Sequence, residues 1–179
     1  HACARTSTGA VTCWGSSCAS PAPTGLGALF LDAQGDGTCA IESAGTMRCF
    51  GLWCFSRTWP STPGTFSHLA VSATGVTGLR SDGTLAFFGQ TTLSNPYPGT
   101  PPTGAFTHVA SGWSDACALD AQGAPVCWGS RGGWSPPPGP FERLLVANEG
   151  ACGWSARGPL QCWGTWWASP PPPDLPPSL

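Results

Sequence analysis

Small and apolar residues alternate with polar ones only over short stretches of this chain. The clearest is Ala116–Asp120, followed by Ala-Gln-Gly and then by a returning stretch, Pro125–Gly129. Period-two alternation broken by a glycine-bearing turn predicts a β-hairpin. No window shows a 3.6-residue apolar period, so almost no helix is predicted.

The hairpin recurs. Cys3 with Gly9 and Cys13-Trp14-Gly15 is followed by Cys39 with Gly45 and Cys49-Phe50-Gly51. Thr77 with Gly83 and Phe87-Phe88-Gly89 comes third, then Cys117 with Gly123 and Cys127-Trp128-Gly129. The fifth is Cys152 with Gly158 and Cys162-Trp163-Gly164. First positions step by 36, 38, 40 and 35 residues, a repeat that accounts for the whole chain. Each glycine six residues in supplies the positive φ that the turn needs. Trp14, Phe50, Phe88, Trp128 and Trp163 recur and are expected in the core or between repeats.

A further strand is expected ahead of four hairpins, at Phe30-Leu31, Phe66–Ala70, Phe106–Ala110 and Phe141–Leu145, with phenylalanine at the same point each time. The connecting pieces 20–25, 60–64, 95–104 and 135–140 are rich in Pro, Gly and Ser and cannot continue a ladder. The reading is an all-β, propeller-like array of about five short blades in a single repeat domain. The units are approximately 1–29, 30–65, 66–105, 106–140 and 141–168, with a Pro-rich tail at 169–179.

Phe106-Thr-His-Val-Ala-Ser-Gly112-Trp113, then Cys117-Ala-Leu and Gly123-Ala-Pro-Val-Cys127-Trp128-Gly129, resembles the regulator of chromosome condensation repeat. It is most similar to the cysteine-bearing variety of bacterial secreted and surface proteins, and His1-Ala-Cys3-Ala matches the same pattern. The resemblance implies a propeller, usually of seven blades, of which five are visible. It does not imply the nuclear member's exchange activity on a small GTPase, since paired cysteines and the absence of a basic tail fit another compartment. Nor does it imply light sensing: of the photoreceptor branch's Gly-Trp-Arg-His-Thr run, only Gly112-Trp113 is present.

Eight of the ten cysteines form pairs ten residues apart across a hairpin turn, where neighbouring strands bring Cβ atoms within disulfide reach. Four disulfides are expected: Cys3–Cys13, Cys39–Cys49, Cys117–Cys127 and Cys152–Cys162. The third unit lacks both members together, as a bonded pair predicts. Cys18 and Cys54 stand at equivalent places and leave two readings, an inter-blade disulfide or zinc held by Cys39, Cys49 and Cys54. An inter-blade disulfide between Cys18 and Cys54 is the favoured reading, with no metal and no cofactor expected. The pairs place the protein in an oxidising, secreted or surface compartment.

Composition sharpens the exclusions. Seven basic and nine acidic residues, none of them lysine, leave a net charge of −2 and no basic footprint for nucleic acid. No apolar run is long enough for a membrane span, and without lysine no Schiff base can form. Glycine and proline make up a quarter of the 179 residues, but ten Trp and eight Phe argue for a packed fold over disorder.

No catalytic motif is present, and none of the scattered acids suggests a glycosidase pair, so no enzyme is expected. His68 and His108 sit two residues after Phe66 and Phe106 and are read as repeat structure. His1 also fits the repeat; a copper site there would require a second histidine. Arg5 occupies the slot held elsewhere by Ile41, Leu79, Leu119 and Trp154, which reads as an open face on an incomplete first blade. Aromatics that do not recur, Phe55 among them, supply the candidate binding surface: Trp53, Trp59, Tyr97, Trp113, Trp134, Trp166 and Trp167. Irregular spacing favours protein contact over a carbohydrate-binding surface, the alternative. The chain starts at a second strand, leaving an edge beside Cys3–Ser7. It is therefore expected to be a piece of a longer array or a subunit that self-associates head to tail.

Overall fold

The computed structural model describes residues 2–15, 22–35, 37–51, 63–89, 99–129, 134–156 and 158–165. His1, Cys18, Cys54, Trp53, Phe55, Trp59, Tyr97, Trp166, Trp167 and the tail lie outside them. Among the described residues there are five antiparallel sheets and no helix. The first sheet has two strands, β1 (Ala2–Arg5) and β2 (Val11–Trp14). The second comprises β3 (Ala28–Gln34), β4 (Gly37–Glu42) and β5 (Met47–Gly51), and the third β6 (Phe66–Val71), β7 (Gly75–Arg80) and β8 (Leu85–Gly89). The fourth is β9 (Phe106–Ser111), β10 (Asp115–Asp120) and β11 (Pro125–Gly129). The fifth is β12 (Arg143–Val146), β13 (Gly150–Trp154) and β14 (Gln161–Gly164).

The first four hairpins close in the same way. The glycine N–H donates to the carbonyl three residues earlier, as in Gly45 to Glu42 (2.8 Å) and Gly123 to Asp120 (3.0 Å). Gly45 and Gly123 have φ of 79° and 78°, the left-handed geometry that completes a three-residue hairpin loop. The same glycine carbonyl then accepts from the start of the next sheet's first strand or, for Phe141, from just ahead of it. Gly9 bonds Ala28 N (2.9 Å), Gly45 bonds Phe66 N (2.8 Å), Gly83 bonds Phe106 N (2.8 Å) and Gly123 bonds Phe141 N (2.9 Å). The turn glycine therefore closes its own hairpin and fastens the next repeat to it.

All four expected disulfides are formed across these hairpins: Cys3–Cys13, Cys39–Cys49, Cys117–Cys127 and Cys152–Cys162. Bonded to each other, Cys39 and Cys49 supply no thiolates, which removes the zinc reading. In the third sheet Thr77 and Phe87 face each other at the register position of the cystines.

Among the described residues the core consists of four junctions between successive sheets. At the junction of the fourth and fifth sheets, Cys117 and Leu119 meet Phe141, Leu144, Val146, Ala151 and Trp163. Cys39 and Ile41 meet Phe66, Leu69, Val71 and Val76 at the second junction. Leu79 and Ala70 meet Phe106, Val109 and Ala118 at the third, and Leu26, Ala28, Ala40 and Phe50 pack towards Cys3 and Cys13 at the first. Middle strands are covered on both faces, so small residues dominate them. A Cβ on Gly153 would lie 2.8 Å from the Phe141 ring, and one on Gly78 would lie 2.6 Å from Phe66.

Three expectations change here. Phe30 is not the counterpart of Phe66 and Phe106. Ala28 pairs with Glu42 as Phe66 pairs with Arg80, whereas Phe30 pairs with Ile41 as His68 pairs with Leu79. β3 accordingly starts at Ala28, two residues before the boundary placed at Phe30. Trp14, expected in the core, is 54% exposed, whereas its equivalents Phe50 and Trp163 are 7% exposed. Those two pack on a preceding sheet; no described sheet precedes Trp14. Finally, Gly158 is not among the glycines with positive φ, so the fifth hairpin turn lacks the left-handed residue expected there. Arg5 is exposed, as an open face predicts, and its Nη1 lies 3.5 Å from the Ala28 carbonyl where β1 adjoins β3.

Candidate functional site

Two features differ from one repeat to another and are built on rigid elements. The first is the loop between β9 and β10. Gly112 N–H donates to the Asp115 carbonyl (2.8 Å), and the Ser114 hydroxyl donates to Asp115 Oδ2 (2.9 Å). The Trp113 carbonyl accepts from Ala73 N (3.3 Å) in the equivalent loop of the third sheet. On the other side Gly112 lies so close to the Ala147 carbonyl that no side chain fits between them. Trp113 thus stands on a loop clamped by both neighbouring sheets, yet its side chain is 53% exposed. At the corresponding positions Ala73 and Asn148 carry no aromatic ring.

β5, β8, β11 and β14 end on this same side, since Gly51, Gly89, Gly129 and Gly164 pair with Gly37, Gly75, Asp115 and Gly150. The other candidate tryptophans and Tyr97 follow these strands in the sequence. Only Trp113 and Trp134 of the candidate surface fall within the described residues. Trp134 is half-buried against the junction of the fourth and fifth sheets, so part of its indole packs on the core.

The second feature runs along the first strands, which adjoin one another from sheet to sheet. Phe30 on β3 packs against His68 of β6 with ring centroids 4.1 Å apart and planes tilted by 50°, and His68 packs against His108 of β9 at 4.6 Å and 56°. His108 Nε2–H donates to the Leu144 carbonyl on β12 (3.4 Å). Burial, with His108 and Arg143 as like charges, pushes His68 down to about 4. His108 is lowered as well, chiefly by burial, against the hydrogen bond to Leu144. Beside this row Asp32 Oδ2 accepts from Val71 N (2.6 Å), a side-chain bond between sheets. Its burial raises the Asp32 carboxyl, against the bonds from Val71 and Ala33.

The row was hidden from an alignment on phenylalanine. A bulge between Phe66 and His68, repeated in β3, turns residues two apart to opposite faces. Counting back nine residues from Cys39, Thr77, Cys117 and Cys152 reaches Phe30, His68, His108 and Arg143. That count is the signal which would have found it. No group of three His, Cys, Asp or Glu able to hold a metal occurs among the described residues.

Five successive sheets, joined through turn glycines at four junctions, superpose on solved structures that include receptor-kinase ectodomains. The CRINKLY WD40 ectodomain of the Arabidopsis thaliana receptor kinase ACR4 superposes with a TM-score of 0.77 at 23% identity, over 96% of this chain and 63% of that one. The fold is a β-propeller. The entire ectodomain of the Physcomitrella patens receptor kinase CR4 gives 0.73 at 24% identity, over 88% of this chain and 44% of that one. Yeast RCC1 (Prp20), solved bound to Kap60, gives 0.62 at 16% identity, over 83% of this chain and 45% of that one. The chain therefore spans between about two fifths and two thirds of the length of these solved chains. No family model matches it, and no curated protein does.

Proposed function

We propose that this propeller is an extracellular, non-enzymatic module that binds a protein partner through the side carrying Trp113. The observation that carries this reading is an indole 53% exposed on a loop clamped by both neighbouring sheets. A large amphipathic ring held in place before binding loses little freedom on contact, the property of interface hot spots. Four disulfides fit an oxidising exterior. The similar structures include receptor ectodomains and a complex with a protein partner, which supports the same reading.

Trp113→Ala tests it. The immobilised chain is expected to retain a partner from extracellular protein fractions, and the variant to lose at least tenfold in affinity with an unchanged melting temperature. A glycan-array signal that disappears with Trp113, with no protein retained, would replace the reading by a lectin. Unaltered partner binding by the variant would move the site elsewhere.

A second reading rests on the exposed Trp14 and on Leu145, 62% exposed on the cystine side of the fifth sheet. Each lies on a face that is covered by a neighbouring sheet at the four junctions. Such faces accept another repeat unit, either from further repeats of a longer chain or from a second copy joined head to tail.

A further inference from the structure

Rings of three successive sheets form the row Phe30, His68 and His108, and Arg143 holds the fourth place in the same register. Other ionisable groups lie on the surrounding strands, but their bonds run elsewhere. On β3, the Asp32 carboxyl is taken by Val71 and Ala33 N–H, and on β4 Glu42 pairs with Arg48 at 3.5 Å. On β7, Arg80 donates to the Pro63 carbonyl at 2.6 Å and lies over the Phe66 ring. On β10, Asp115 accepts from Ser114, and Asp120 accepts from Gln122 and Ala124 N–H within its turn. The charges acting on His68 are His108 and Arg143, and both oppose a proton there.

We propose that the Phe30–His68–His108 row is an acid-sensitive latch: the fold holds both imidazoles neutral between its sheets, which costs it stability as the solution turns acidic, until their own protonation loosens the two sheet junctions they bridge. A charged imidazole between two half-buried rings, 4.6 Å from a second imidazole, loses hydration and gains a like-charged neighbour. The unfolded chain, with imidazoles near 6.5, takes up protons first as the pH falls. The contribution of these ring contacts is thus fully present above about pH 6.5. It declines as the pH falls, until His68 itself protonates at about 4. Asp32, raised by burial, acts in the opposite sense at the acid end of this window, so variants must be compared rather than a single curve read.

Phe30 shows that a phenylalanine fits this row. Thermal melts of the chain and of His68→Phe/His108→Phe from pH 7.5 to 4.5 provide the test. The parent is expected to lose several degrees more than the variant between pH 6.5 and 4.5; parallel curves would overturn the latch. Ring-proton NMR of the parent and of Arg143→Gln decides the matter even if the double variant fails to fold. His68 is expected to titrate near 4 in the parent and higher in Arg143→Gln. Titration of both rings at the ordinary value near 6.5 in the folded parent would overturn the proposal.

Discussion

Trp14 and Trp163 share a register position in their hairpins, next to a cystine and before a glycine, but not a fate. Trp163 packs on Cys117 and Leu119 of the preceding sheet, and its ring centroid lies 5.7 Å from that of Phe141. Trp14 has no described sheet on that side. Removal of a buried indole leaves a cavity that a close-packed junction cannot refill. Trp163→Ala is therefore expected to destabilise the fold by about 3–5 kcal/mol. Trp14→Ala, an exposed change, is expected to stay within about 0.5 kcal/mol of the parent. Urea unfolding of the two variants checks the contrast. Equal losses would show that Trp14 is covered after all.

Hairpins are the units that the cystines secure. Each cystine joins strands only ten residues apart, so it restrains one hairpin and does not tie one sheet to another. For a loop of that length the entropic stabilisation is about 2–3 kcal/mol. The third hairpin lacks a bridge and relies on the junction where Val76 and Phe88 meet Cys39, Ile41 and Met47. Cys117→Ser/Cys127→Ser is expected to lower stability by about 2–3 kcal/mol. Hydrogen exchange should quicken most at Ala116–Leu119 and least in the first sheet. Uniform acceleration across all sheets would mean that the array unfolds as one unit, without separable hairpins.

For the molecule as a whole, four junctions repeat one arrangement: the cystine side of one sheet receives the aromatic side of the next. The exposed Trp14 and Leu145 mark the two faces where the described array offers that arrangement to something else. If a second copy supplies it, light scattering of the chain is expected to show mass rising with concentration, and Leu145→Asp should abolish the rise. A constant monomer mass would leave those faces to further repeats of a longer chain. The low charge of the chain, −2 over 179 residues, offers little repulsion to such association.

The repeat period, the hairpins, four of the five turn glycines and the four cystines were legible in the amino-acid sequence because each depends on residues within about ten positions of one another. A turn needs its glycine at one place, and a cross-strand bridge needs two cysteines at matched register, so local spacing determines both. What each sheet does to its neighbour was decided only in three dimensions. A one-residue bulge turned Phe66 and His68 to opposite faces, which aligned Phe30 with histidines and built a row of rings that an alignment on phenylalanine misses. Trp14 carries the same local signature as Trp163, and only the presence or absence of a packed neighbour separates them. Trp113 likewise differs from the core tryptophans through its place on a clamped loop between sheets. Local covalent geometry repeats faithfully along the chain, whereas burial is a property of the surroundings and is set by whichever sheet lies alongside.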